Sequence, residues 1–338
     1  MIIVLGADGF IGTYLVDQLI RDGFNVLATD ISRIGGRLHK KQKIPFIRLD
    51  ITKEKQFDKL PQKGVDALVH LACVQPANVR KEEYDPIDYI KVNVIGTLNI
   101  LEFCRKKGIQ KMIYGSSHRN TQGLWKEGKF IREDQGRAIK YAGEYAMFSI
   151  SESAAQDCVE HYTQQYGLQG VIFRLPPVYG YGPHTEIFKN GKPLKMGFQI
   201  FIENAMAGKP LEVWGNCEKG RDIIYVKDVV SAIILALGSK TATGLYNITS
   251  GRLLSLKEEA ETIARVFSPK NNPSEITYRP DKPNSIEPFL YDISKVKRDL
   301  GWSPRYNFEE MLLDYKSERE SGRFNHLLEK RRQMMLKQ

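Results

Sequence analysis

Short apolar runs alternate with helical segments over the first half of the chain, and that alternation leaves few folds open. The runs are IIVLGA, NVLATD, ALVHLAC, KMIYGSS and GVIFRLP, each rich in Val, Ile or Leu and ending in small or polar residues. Between them, IGTYLVDQLIRDG, VIGTLNILEFCRKKG and ESAAQDCVEHYTQQYG carry apolar residues at helical spacing, and they end in Gly after basic or polar residues. Continuous apolar strands separated by helices predict an α/β fold, a doubly wound parallel sheet covered on both faces. Past Pro176 the regularity breaks at Pro177, Gly180, Gly182 and Pro183. Helical patterns resume at MGFQIFIENAMAG, VKDVVSAIILALG and SLKEEAETIARVF, while RDIIYV and GLYNIT read as strands that rejoin or flank the main sheet. The expected division is a main domain over 1–175 and 221–246, a smaller mixed α/β region over 176–220 and 247–325, and a basic tail over 326–338.

The first strand leads into Gly6-Ala7-Asp8-Gly9-Phe10-Ile11-Gly12, a GxxGxxG. Gly6 permits a tight turn, Gly9 lets backbone approach a pyrophosphate, and Gly12 lets the following helix pack on the strand. The helix N-terminus then offers free N–H groups to an anion. A strand before the motif, a helix after it and an acid closing the second strand together predict a Rossmann dinucleotide site. That acid is Asp30 in NVLATD. It either accepts hydrogen bonds from an adenosine ribose, which favours NAD over NADP, or caps a turn. Arg33 and Arg37 follow close behind it.

Composition excludes several classes. The chain has 338 residues, 42% of them hydrophobic, enough for a sizeable core. No apolar run is long enough to span a membrane, and MIIVLGADGFIG lacks a basic leader, so a cytoplasmic protein is expected. The four cysteines and six histidines are dispersed, which predicts reduced thiols and no metal site. The net charge of +10, with basic runs at Arg37–Lys43 and LLEKRRQMMLKQ, suits an anionic ligand such as a diphosphate. The sequence has no dedicated nucleic-acid reader, so nucleic-acid binding is not expected.

Taken together, these elements resemble the extended short-chain dehydrogenases, the nucleotide-sugar epimerase/dehydratase family, over nearly the whole chain. GADGFIG is similar to the family's glycine signature, Asp50-Ile51 to its adenine-contacting pair, and His70-Leu71-Ala72 to its HLA element. Asn93 matches its central helix asparagine. RLPPVYGYG is similar to RPFNVYGPG, RDIIYVKDVV to RDFVYVDDV, and DISKVKRDLGWSP to the C-terminal signature. The resemblance implies NAD, held by Gly6, Gly9, Phe10, Ile11, Gly12, Asp30, Asp50, Ile51, Leu71, Ala72 and Asn93. It also implies a nucleotide-diphosphate sugar oxidised at C4 through a keto intermediate, and a homodimer formed through the helices of VNVIGTLNILEFC and ESAAQDCVEHY. Candidate substrate contacts are Ser117, Pro177, Tyr179 and Arg221. Pro177 stands where the family has Asn, which removes a side-chain contact. Arg221 binds a diphosphate or pairs with Asp222 or Asp228; Tyr179 contacts substrate or anchors a loop.

The family's proton-transfer dyad is Tyr-x-x-x-Lys. Here SESAAQDCVEHY sets a register that gives Phe148-Ser149-Ile150-Ser151-Glu152, with Phe148 at the tyrosine position and Glu152 at the lysine position. Phenylalanine exchanges no proton, and a glutamate is expected to reverse the local charge. Ser117 in YGSSH matches the family's hydroxyl position, and His118-Arg119 stands where dehydratases carry Asp-Glu. His118 is either an acid/base or an exposed loop residue. Tyr141, Tyr145, Phe148 and Glu152 would share one face of a continuous helix, which makes Tyr145 a second candidate base. Two functions fit: an enzyme with altered chemistry, or a redox-inactive protein that still binds NAD and a nucleotide sugar.

Overall fold

The structure is a computed structural model describing residues 1–31, 43–76, 85–182, 186–189, 192–284, 286–325 and 328–329. Arg33, Arg37 and most of both basic runs lie outside the described residues.

Seven strands form the central sheet: β1 (Ile2–Leu5), β2 (Val26–Asp30), β3 (Phe46–Arg48), β4 (Ala67–His70), β5 (Lys111–Ser117), β6 (Gln169–Leu175) and β7 (Gly244–Asn247). Their order is β7-β6-β5-β4-β1-β2-β3, and every pairing is parallel. All residues of β1 and β4 are buried, as an apolar strand covered on two faces must be. Helices α1 (Phe10–Arg21) and α4 (Val226–Gly238) pack on one face through Leu15, Leu19, Val229 and Ile233. Helices α2 (Gly96–Lys107) and α3 (Ala146–Tyr166) cover the other through Ile100, Leu101, Ala155 and Val159.

β1 has β2 on one side and β4 on the other, so the strand order reverses there. In open parallel sheets the crevice at such a reversal, outside the carboxyl ends of the strands, is where ligands bind.

β3, three residues long, was not among the expected strands. Of the two segments expected to rejoin or flank the sheet, GLYNIT joins it as the edge strand and RDIIYV stays outside it. Gly220–Asp222 pairs antiparallel with Leu253–Ser255, and Ile224–Tyr225 pairs parallel with Val178–Tyr179. Asp228, at the start of α4, accepts hydrogen bonds from the backbones of Arg305 (2.8 Å) and Tyr306 (3.4 Å), and the Trp302 indole donates to the Asp228 carbonyl at 3.2 Å. These bonds tie the GWSP segment to the N-terminal turn of the helix that covers the sheet.

The helix carrying the dyad positions begins at Ala146. Tyr141 precedes it and is 77% exposed, so the four-residue stripe expected from spacing does not exist. The chain around Gly143, with φ +94°, turns there instead. Tyr145 is the residue just outside the first turn of α3.

Candidate active site

The glycine turn is built by close approach. Gly6 has φ +85°, and a Cβ there would lie 2.7 Å from the Ala72 nitrogen. A Cβ on Gly12 would lie 2.1 Å from the Gly6 carbonyl oxygen. These contacts bring the ends of β1 and β4 and the start of α1 together. Gly9 caps α1 without a side-chain hydrogen bond, and the first turn carries no acid, so its N–H groups remain suited to an external anion. Asp30 accepts the Asp8 backbone N–H at 3.1 Å, which holds the turn against the end of β2. The cradle fits a dinucleotide: glycine backbone where side chains would intrude, a helix N-terminus, and a carboxylate at the second strand.

The other cofactor candidates are distributed around this turn. Phe10 packs its ring against Gly180 and Gly182, where an added Cβ would meet it at 3.0 and 2.6 Å. Ile11, Leu71 and Ala72 are half-buried. Asp50 forms a local turn, accepting from the Thr52 nitrogen at 3.0 Å and hydroxyl at 2.8 Å, and Ile51 packs against Gly96. Asn93 lies in a π-helical stretch, Ile90–Ile95, just before α2. Its amide bonds both backbone groups of Val74, at 2.8 and 2.9 Å, and donates to Ser151 Oγ at 2.9 Å. Asn93 therefore ties the segment after β4 to α3. Local π geometry of this kind is frequent at functional sites.

Ser117 ends β5, buried, and accepts the Arg119 backbone N–H at 3.1 Å. His118 is not an exposed loop residue. Its Nδ1 is 3.1 Å from the Leu175 carbonyl, and its ring stacks on Trp125 at 5.4 Å and 5°. Burial, and then the charge of Arg119, push the imidazole well below its ordinary value. It is neutral at physiological pH and a weak base.

Phe148 is buried one turn into α3, 6.5 Å from the Tyr145 ring. Glu152 is 2% exposed and accepts the Tyr114 hydroxyl at 2.9 Å through Oε2; its Oε1 is buried without a partner. Burial pushes this carboxyl up to about 8, against the Tyr114 hydrogen bond. The expectation of reversed charge is therefore corrected: Glu152 is mostly protonated at neutral pH, so the customary cation is deleted and not inverted. Glu152 also lies near Cys73, whose thiol is pushed up by burial and further by that carboxyl.

On the substrate side, Tyr179 is buried and not merely a half-buried anchor. Arg221 donates to its hydroxyl at 3.0 Å, and that hydroxyl reaches Glu259 at 3.3 Å. Arg221 pairs with neither Asp222, which accepts from Ser250 and Tyr291, nor Asp228. Pro177 is half-buried, and its carbonyl accepts the Ile224 N–H at 3.2 Å. Sequence reasoning gave no role to Tyr114, Glu259 or Arg119. The Arg119 guanidinium lies 3.9 Å from the Tyr145 ring centre and 5.3 Å from that of Trp125. Tyr114 could have been found, since alternation along β5 turns it toward α3.

Among the described residues no group of His, Cys, Asp and Glu could hold a metal ion, and no helix is long and apolar enough to cross a membrane.

Residues 2–249 match the NAD dependent epimerase/dehydratase family. The chain belongs to this family. The NAD expected from the glycine turn is the family's cofactor, and the fold agrees with it. Among relatives, the chain is 28% identical to a putative UDP-glucose 4-epimerase of Methanocaldococcus jannaschii, over 92% of this chain and 95% of that one. It is 29% identical to UDP-glucuronic acid decarboxylase 6 of Arabidopsis thaliana, over 92% and 86%. Among solved structures, UDP-glucose 4-epimerase of Thermus thermophilus in complex with NAD superposes with a TM-score of 0.73 at 27% identity, covering 93% of this chain and 97% of that one. The Thermotoga maritima enzyme with UDP-glucose gives 0.76 at 26%, covering 95% and 99%.

Proposed function

We propose that this chain binds NAD and a nucleotide-diphosphate sugar and acts at sugar C4 with a changed set of proton-transfer groups. One observation carries the reading: the glycine turn, Asp30, Ala72 and Ser117 lie at the carboxyl ends of β1, β2, β4 and β5, with Tyr179 just beyond β6. That edge, at the reversal of strand order, is where the fold presents ligands.

Gly6, Gly9 and Gly12 with the start of α1 would hold the pyrophosphate, Asp30 the adenosine ribose, and Ala72 the face of the cofactor. The chemistry NAD supplies when bound is reversible hydride transfer, here at C4 by way of a keto sugar. Arg221, braced by Tyr179, would bind the diphosphate through its planar donors. Ser117 would orient the sugar hydroxyl. Tyr145 is the phenol available to exchange that hydroxyl's proton, since Phe148 carries no proton and His118 is held neutral and weakly basic. The division into a dinucleotide domain and a smaller substrate region, and a dimer through α2 and α3, belong to the same proposal.

Turnover of a panel of nucleotide sugars, followed by product analysis and by transient absorbance near 340 nm, the wavelength of reduced nicotinamide, tests it. Product with a transient supports the reading; neither across the panel rejects it.

A second reading is a redox-inactive binder. It is favoured by one observation, that both dyad positions are chemically silent: Phe148 has no proton and Glu152 is buried and mostly neutral. Calorimetry showing nucleotide-sugar binding with no turnover would support it over the first.

A further inference from the structure

The proposed function uses one guanidinium of this site and leaves another without a task. Arg119 is half-buried, with its charge stacked over Tyr145 and facing Trp125. Among the described residues its side chain donates no hydrogen bond and meets no carboxylate at ion-pairing distance. The acid nearest in influence, Glu287, is already engaged, by Lys140 at 3.1 Å and Gln122 at 2.7 Å. Arg221 is close enough that its like charge opposes that of Arg119; it donates to the Tyr179 hydroxyl, with the Glu259 carboxylate behind that hydroxyl attracting its charge. Two partly desolvated cations kept near one another are stabilised by anions. A diphosphate accounts for Arg221. It does not account for Arg119, whose backbone N–H donates to Ser117 Oγ, the hydroxyl that addresses the sugar.

We propose that Arg119 reads an acidic group on the sugar itself, so that the substrate is a nucleotide-diphosphate sugar bearing a carboxylate, a hexuronate. This rests on the nucleotide-sugar reading above. The position supports the assignment, because a guanidinium over the face of a phenol ring, 3.9 Å from its centre, spends no donor on that contact and keeps its fork for a planar, two-oxygen acceptor. A compact ammonium would not offer that fork. Trp125, whose ring centre is 5.3 Å from the guanidinium, packs with His118 and Phe289 at 4.4 to 5.4 Å, and an aromatic wall beside the charge makes such a pair stronger than at an open surface.

The test is calorimetric titration of the NAD-loaded full chain with nucleoside diphosphate, its neutral hexose and its hexuronate, run in the uridine, thymidine and guanosine series. The expected result is a hexuronate bound at least tenfold tighter than the hexose by the unaltered protein. Arg119→Gln should abolish that ratio and leave the affinity for nucleoside diphosphate within twofold, while Arg221→Gln should weaken all three ligands together. Arg119→Lys should recover only part of the ratio. Equal affinity of the unaltered protein for hexose and hexuronate overturns the proposal and leaves the nucleotide-sugar reading standing, and it does not depend on any variant folding. Loss of nucleoside diphosphate binding in Arg119→Gln also overturns it, by making Arg119 a phosphate ligand. Binding of none of the ligands overturns both.

Discussion

The Tyr114 hydroxyl donates to Glu152 Oε2 at 2.9 Å, in the buried seam between β5 and α3. Burial raises the folded-state value of this carboxyl to about 8, from 4.5. The folded protein therefore holds the proton more tightly than the unfolded chain. Its contribution to stability is fully present below about pH 4.5 and is lost as pH rises through about 8. Glu152→Gln stays neutral throughout. Thermal melts of both proteins should diverge between pH 5 and 8.5, with the variant gaining several degrees at the upper end, at roughly 2 °C per kcal/mol for a chain of this size. Parallel curves would show that Glu152 is ionised when folded.

The assignment of proton exchange to Tyr145 separates from that to His118 by mutation. Tyr145→Phe should lower kcat by about 10²-fold or more, the usual range for a lost acid/base, while calorimetric affinity for the nucleotide sugar stays within threefold. His118→Ala should cost less than tenfold in kcat. The opposite ranking would move the role to the imidazole.

Gly9 and Gly12 make different demands. A Cβ at position 12 would stand 2.1 Å from a backbone oxygen, whereas one at position 9 would stand 3.0 Å from it. Gly12→Ala should therefore lower Tm markedly and abolish NAD binding. Gly9→Ala should fold with a loss of about 1 kcal/mol or less and weaken NAD at least tenfold in a fluorescence titration. If Gly9→Ala binds NAD normally, backbone approach at that residue is not what holds the cofactor.

Asn93 satisfies two backbone groups of Val74 and one hydroxyl of α3. Asn93→Ala leaves the part-buried groups of Val74 and the buried Ser151 hydroxyl without this partner and should destabilise the protein by about 2–4 kcal/mol in urea unfolding. Asn93→Asp keeps the acceptor for the Val74 N–H and loses both donated bonds, so it should fall between the two. Equal stability of all three proteins would mean that water replaces the amide.

The parts of the site legible in sequence are those written within a few consecutive residues. Gly6 to Gly12, Asp30 and Ser117 each sit at a strand end, and strand ends are marked by the change from apolar to small or polar residues. What escaped depends on contacts between distant segments. Arg119 had no evident task because Trp125 and Tyr145, which flank its charge, come from separate turns. Glu152 looked ionised because a sequence carries no record of solvent exclusion. Tyr141 was placed on a helix by spacing alone, although Gly143 interrupts any continuous helix. β3 is three residues of exposed and half-buried side chains and has little periodicity to read. RDIIYV is divided between two short strands, whose partners Leu253–Ser255 and Val178–Tyr179 lie far off in sequence and outside the sheet.

Phe10 belongs to two walls at once. It stands in the glycine turn, four residues before Tyr14, whose hydroxyl donates to the Tyr181 carbonyl, and its ring fills the space that Gly180 and Gly182 leave open. The bed prepared for one ligand and the loop that borders the other are thus fastened by a single aromatic post. A smaller side chain at position 10 would therefore loosen both walls together.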